Sequence, residues 1–291
     1  NNGFQLNCAT GFLNDAPFNS VQTQRELGPY KTLHPGGVRH TGDDWMVTNT
    51  TTYDVNEHMT IRNILGGAHS HTDSEQPQLG AAFATILTAN LATGESGNEL
   101  DVDSISEEFQ LQGDVAGWTY VIGAYYQDQQ IDTVWPQTYF GVVTVTNAFR
   151  TENTTKAIYA QGTYSLTDDL RFTVGGRYTQ EDVDFRVLPR DTRTDVYPAD
   201  LLPTAAGESL VGLSESKTFE DPSWEVGLEY QASPEVFLYA KTRGSFRSGG
   251  FNGAALPVPV TAVDGGNLFD SEHTQDVELG LKYRGEVLGR P

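Results

Sequence analysis

The fold class this sequence predicts is all-β: an antiparallel transmembrane β-barrel. Three observations predict it. Apolar and polar residues alternate with period two along most of the chain, as they do where successive side chains point to opposite faces of a sheet. The alternating segments are about as long as the ~9–11 residues that a tilted membrane strand needs. Short turns and long polar loops alternate strictly between them, the connection pattern of outer-membrane barrels.

Strands are expected near 44–55, 59–69, 101–112, 117–128, 154–166, 170–186, 219–232, 235–247 and 272–284, with a further one possible at Phe4 to Cys8. The clearest puts Phe172, Val174, Gly176 and Tyr178 on one face and Arg171, Thr173, Gly175, Arg177 and Thr179 on the other. Trp224, Val226, Leu228 and Tyr230, and then Val277, Leu279, Leu281 and Tyr283, repeat the pattern. Tight turns fall at Asn56-Glu57-His58, Gly113-Asp114-Val115-Ala116, Thr167-Asp168-Asp169 and Ala232-Ser233-Pro234, each rich in turn-forming residues. The stretches 70–98, 129–153, 187–218 and 248–271 read as the long loops; they exceed the ~12–15 residues usual within compact soluble domains. Residues 1–43 form a loop-rich segment with that possible first strand, and 44–291 form the barrel strands.

Pairing arithmetic supports the hairpins. If Leu166 pairs with Leu170, Tyr164 faces Phe172, Gly162 faces Val174 and Tyr159 faces Arg177, whereas a slip of one residue mixes the two faces. Across the turn at Ser233, Glu225 falls opposite Lys241 or Arg243, and Leu228 opposite Leu238 or Ala240. Tyr53, Trp118, Tyr164, Phe172, Tyr230 and Tyr283 lie near short turns on the apolar face, where an aromatic girdle would meet one membrane interface. Glu107 resists the scheme because it shares a face with Ile105, Phe109 and Leu111. Either the strand bulges there or Glu107 meets a neighbouring element.

Composition narrows the function. Lys and Arg number 18 against 39 Asp and Glu, a formal net charge of −21, so a phosphate-backbone footprint, and with it nucleic acid, is excluded. With 37% hydrophobic residues, a mean hydropathy of −0.41 and no apolar run near 18 residues, membrane-spanning helices are excluded too. The single Cys8 permits neither an internal disulfide nor a cysteine zinc site. No export signal is visible at Asn1-Asn2-Gly3.

Enzyme chemistry finds no support. Glu107-Glu108 and Glu181-Asp182 are adjacent in strands and point to opposite faces, so neither makes an acid–base pair. Ser104, Ser106 and Ser216 sit in no nucleophile elbow. Gly175-Gly176 and Gly249-Gly250 lack the helix and Lys that a phosphate loop requires. His69 and His71 share a face, but no third His or Cys stands near. No catalytic residue, cofactor or metal is expected. Arg171, Arg177, Glu225, Glu229, Lys241, Lys282 and Arg284 make a charged face that looks into the lumen if the apolar face meets lipid.

Several pieces of the chain resemble the barrel of TonB-dependent receptors. They are Ile105 to Leu111, Lys156 to Gly162 leading to Leu170 to Tyr178, and Tyr239 through Arg247-Ser248-Gly249-Gly250-Phe251-Asn252. The last is the most specific, because a basic residue and Ser-Gly-Gly-Phe-Asn are followed by a long loop and a Glu-containing strand such as Glu278 to Lys282. The likeness covers roughly residues 44–291, and Glu107 departs from the usually uncharged residue at its position. The resemblance implies a 22-stranded barrel, of which nine or ten strands are here, with a plug absent from this sequence. It implies a Gram-negative outer membrane, lipid contact, energy coupling to a TonB complex through the missing plug, and uptake of a bulky scarce solute such as a ferric siderophore. Arg243, Arg247, Ser248, Gly249, Gly250, Phe251 and Asn252 are the candidate solute-contacting residues. A passive porin or small structural barrel is the first alternative, and a soluble β-sandwich binding module the second.

Overall fold

The computed structural model describes residues 25–31, 39–75, 86–87, 89–90, 95–139, 143–192, 211–253 and 267–285. The possible strand at Phe4 to Cys8 and the segment after Gly285 lie outside them. Nine long strands fill the described chain: β1 (Arg39–Asn56), β2 (Met59–Glu75), β3 (Asn98–Val115), β4 (Trp118–Tyr139), β5 (Val143–Ser165), β6 (Leu170–Val187), β7 (Ser214–Ser233), β8 (Val236–Arg247) and β9 (Glu272–Tyr283). Each pairs antiparallel with the next in chain order, and β1 and β9 are the outer strands of the resulting sheet. Among the described residues no helix is long and apolar enough to cross a membrane.

The hairpin registers follow the expected arithmetic. Tyr164 pairs with Phe172, Gly162 with Val174 and Tyr159 with Arg177, while Glu225 pairs with Arg243 and Leu228 with Ala240. Paired residues share a face, so Tyr164, Phe172, Leu228, Ala240 and Leu279 form one continuous apolar row. The next row runs Gly162, Val174, Val226, Thr242, Val277.

That apolar face is uncovered. Val277 and Leu279 are 77% and 78% exposed, while Asp276 and Glu278 beside them are half-buried. The sheet therefore curls around its polar face and turns its apolar face outward, the reverse of a soluble core. No second layer covers the stripe among the described residues, which sets the β-sandwich reading aside.

Two girdles bound this belt. Tyr53, Trp118, Tyr164, Tyr230 and Tyr283 line the short-turn side, with the Trp118 and Tyr164 rings 5.0 Å apart. Trp45, Tyr126 and Tyr178, which the sequence reading does not assign to a girdle, line the opposite side and are exposed. Trp45 to Tyr53 and Trp118 to Tyr126 are each eight residues apart. Eight residues make about 26 Å along a strand and about 20 Å of height once it leans by ~40°. Glu107 is explained by its row: it pairs with Tyr126 and Leu65 without a register shift, so there is no bulge. Its carboxylate sits beside the upper girdle and accepts a hydrogen bond from Asn63 Nδ2 at 3.0 Å.

The structure departs from expectation at the connections. The third-to-fourth strand turn centres on Ala116-Gly117, after β3 has run through Val115; both residues have positive φ, 50° and 86°, as a two-residue turn matched to strand twist requires. The strands also run well beyond the girdle on the loop side. The expected loop at 129–153 is instead a β4–β5 hairpin paired without interruption to Tyr139 and Val143. Alternation vanishes there because both faces are covered: Val134, Gln137, Thr138, Val145, Thr146, Asn147 and Ala148 are all buried. The Ala148 backbone N–H donates to Asp191 Oδ2, and Thr146 N–H to Thr192 Oγ1, each at 2.9 Å.

Candidate functional site: the inner wall and its mouth

The polar stripe builds a charged wall because pairing aligns its rows. One row runs Gln161, Gly175, Glu225, Arg243, Asp276, and the next Thr163, Thr173, Gly227, Lys241, Glu278. Arg243 grips Asp276 with Nε and Nη2, the shortest contact being 2.7 Å, and reaches Glu278 at 3.5 Å. Lys241 meets Glu278 at 3.0 Å and Arg171 meets Glu229 at 2.8 Å. These pairs are partly exposed, so each contributes little to stability; their role is to present fixed, alternating charge on one surface.

Arg177 is held differently. Its guanidinium lies 5.3 Å from the Tyr125 ring centroid and 5.8 Å from that of Tyr159, and its Nε donates to Thr179 Oγ1. The Tyr159 hydroxyl donates to Glu108. Tyr159 in turn lies over Gly123, where a Cβ would come within 2.5 Å of the hydroxyl oxygen, so the position must stay bare. A cavity of about 430 Å³ opens beside this cluster, lined by Tyr159, Arg177, Glu225, Arg243, Ser245 and Asp276.

Arg171, Arg177, Glu225, Glu229, Lys241 and Lys282 thus stand on one face, and Arg284 follows just past β9, its N–H bonded to Glu235 O at 2.8 Å. The candidate solute residues split. Arg243 belongs to the mid-wall ion pairs, whereas Arg247 to Asn252 lie at the far end of β8. There Gly250 and Phe251 pair with Phe269 and Leu268. The Phe251 ring stacks on Phe185, centroids 5.6 Å apart, and Phe185 packs against Phe149 at 5.7 Å. Phe185 and Val187 are buried, and Phe149, Leu213 and Phe251 close around them. Asn252 is exposed.

The sequence reading sets Tyr159 opposite Arg177, as the structure has it, but does not single out Glu108, Tyr125, Asp276 or the Phe149–Phe185 pair as wall residues. Parity with Gln110 and Gln127 marks Glu108 and Tyr125 as wall residues, but aromatics on a polar face do not announce themselves. His69 and His71 each bond a separate aspartate on the outer face, Asp103 at 2.8 Å and Asp101 at 2.6 Å. Among the described residues no cluster of three metal-binding side chains occurs. Beyond the belt, the hydrogen bond to Asp101 raises the His71 pKa above its ordinary 6.5. The Arg190 guanidinium, 2.6 Å from Glu99, holds that carboxyl below the usual range.

An open antiparallel sheet with an apolar outer belt, two aromatic girdles and a charged inner wall defines a segment of an outer-membrane-type barrel. The profile described as "TonB dependent receptor-like, beta-barrel" matches residues 3–289, and the chain belongs to that family. Its fold is similar to that of the ferric yersiniabactin uptake receptor FyuA from Yersinia pestis, with a TM-score of 0.60 at 14% identity over 87% of this chain and 35% of that one. The siderophore receptor PiuA from Acinetobacter baumannii gives 0.60 at 13% identity, over 84% and 38%. BauA, the ferric preacinetobactin receptor of the same organism, gives 0.56 at 16%, over 86% and 36%. The chain thus spans between a third and two fifths of the receptors it resembles. No curated protein matches it in sequence.

Proposed function

We propose that this chain is part of the wall of a Gram-negative outer-membrane receptor that takes up a bulky scarce solute, a ferric siderophore or a molecule like it, and draws energy from a TonB complex through a plug region. The receptor is a transporter and not an enzyme. The observation that carries the reading is the two-faced sheet: a lipid-compatible belt backed by charges fixed in rows. Such a wall binds a plug and a passing polar solute through many weak, reversible contacts rather than one tight site. Arg177, Glu225, Arg243 and Asp276 line the dent where those contacts concentrate, and Arg247 to Asn252 form the mouth.

The test is uptake by cells carrying the complete receptor as their sole iron receptor. Iron-55 complexed to hydroxamate, catecholate and carboxylate siderophores is supplied under iron limitation, with and without the proton gradient. Saturable uptake that collapses with the gradient is expected. Gradient-independent, unsaturable entry would replace this reading with a passive porin.

A further inference from the structure

We infer that Ser248 to Gly253 is a strap docked across the inner face of the wall, and that Phe251 positions it and, with it, the solute-contacting side of the mouth. The inference rests on the uptake reading for its second half only.

The strap leaves β8 where the sheet has a seam. Pairing of β7 with β8 stops at Trp224 and Gly244, although β7 continues to Ser214 along β6. Pro222 stands just beyond that limit, and a proline has no N–H to give a neighbouring strand. Across the gap, His273 of β9 and Asp221 of β7 are hydrogen-bonded at 3.0 Å.

The chain then crosses the lumen side of three strands in steps of two residues. A Cβ on Gly249 would stand 2.5 Å from the Phe219 ring of β7, and one on Gly253 would stand 2.5 Å from the Phe149 ring of β5. Between them Phe251 stacks on Phe185 of β6. Two residues of extended chain advance about 6.6 Å, enough to pass from one strand to the next, ~4.8 Å away, on a slant. Glycine at both ends lets the backbone lie flat on the rings, and phenylalanine in the middle supplies a side chain that grips. Extended chain also alternates, so Phe251 faces the wall while exposed Asn252 faces away from it. Phe251 is therefore a positioning residue, and Asn252 is the one that meets solute.

The complete receptor tests this in cells, with Ser248→Cys in an otherwise cysteine-free background and a membrane-impermeant maleimide as probe. Phe251→Ala and, at the other end of the strap, Gly253→Ala should each speed labelling by about tenfold or more, because a locally released segment exposes its backbone. Phe251→Leu should restore slow labelling to within about threefold. Binding of the same three classes of ferric siderophore should weaken in Phe251→Ala and recover in Phe251→Leu. Asn252→Ala should weaken binding with labelling unchanged. Fast labelling of the parent that Phe251→Ala leaves as it was overturns the docked strap. Release of the strap with binding intact overturns the positioning role. Binding is measured in receptors that keep Ser248; if the receptor with Ser248 and Phe251 intact binds none of the siderophores, that counts against the uptake reading, and labelling then judges the strap alone.

Discussion

Below the upper girdle and above it, the same strands obey different rules. In the belt, β6, β7 and β9 alternate, with Val174, Val226 and Val277 outward and Gly175, Glu225 and Asp276 inward. Beyond the girdle, β4 and β5 bury Gln137, Thr138, Thr146 and Asn147 as completely as Val145. The difference teaches that alternation records two unlike solvents, not strand structure itself. Where lipid lies on one side and water on the other, the pattern is written into every second residue. Where protein covers both sides, the strand persists and the pattern goes.

The largest effect that would sharpen this contrast is at Phe185, which is 2% exposed beneath the strap. Phe185→Ala should cost about 3–5 kcal/mol, the range for emptying an aromatic site in a packed interior, and urea unfolding in lipid bilayers measures it. Next comes a charge placed on the outer face at two heights. Val174→Arg in the belt should cost about 2–4 kcal/mol, whereas Ser216→Arg, outward but beyond the girdle, should stay within ~0.5 kcal/mol. Equal costs at the two positions would break the two-solvent account. Gly123→Val forces atoms into the Tyr159 ring and should cost about 1–3 kcal/mol; in the same unfolding assay, loss of the Tyr159 contact with Glu108 predicts that Tyr159→Phe softens the penalty. The smallest effect is at His71. Its proton stabilises the folded state below the ordinary imidazole value and ceases to do so as pH rises through the raised folded value. Asp101→Asn should return the His71 titration, followed by NMR in micelles, towards 6.5, whereas an unmoved midpoint would show that Asp101 is not the cause.

The belt strands, their registers and the inner-wall face were legible because Leu166, Leu170 and the charged rows admit only one pairing that keeps the faces apart. The candidate site was legible in part. Arg247 to Asn252 stood out as a cluster, yet nothing local said that Arg243 belongs to a mid-wall ion pair with Asp276, or that Phe251 turns to the wall. Both depend on which strand lies next to which.

By itself, the sequence determined where lipid and water lie, since a two-residue period is a local consequence of strand geometry in an asymmetric environment. Only the tertiary structure decided that 129–153 is a paired hairpin, that Glu107 sits beside Tyr126 at the belt's margin, and that the seam above Trp224 is bridged by a strap. Those are facts of cross-strand neighbours far apart in the chain, and no periodicity within a single strand encodes them.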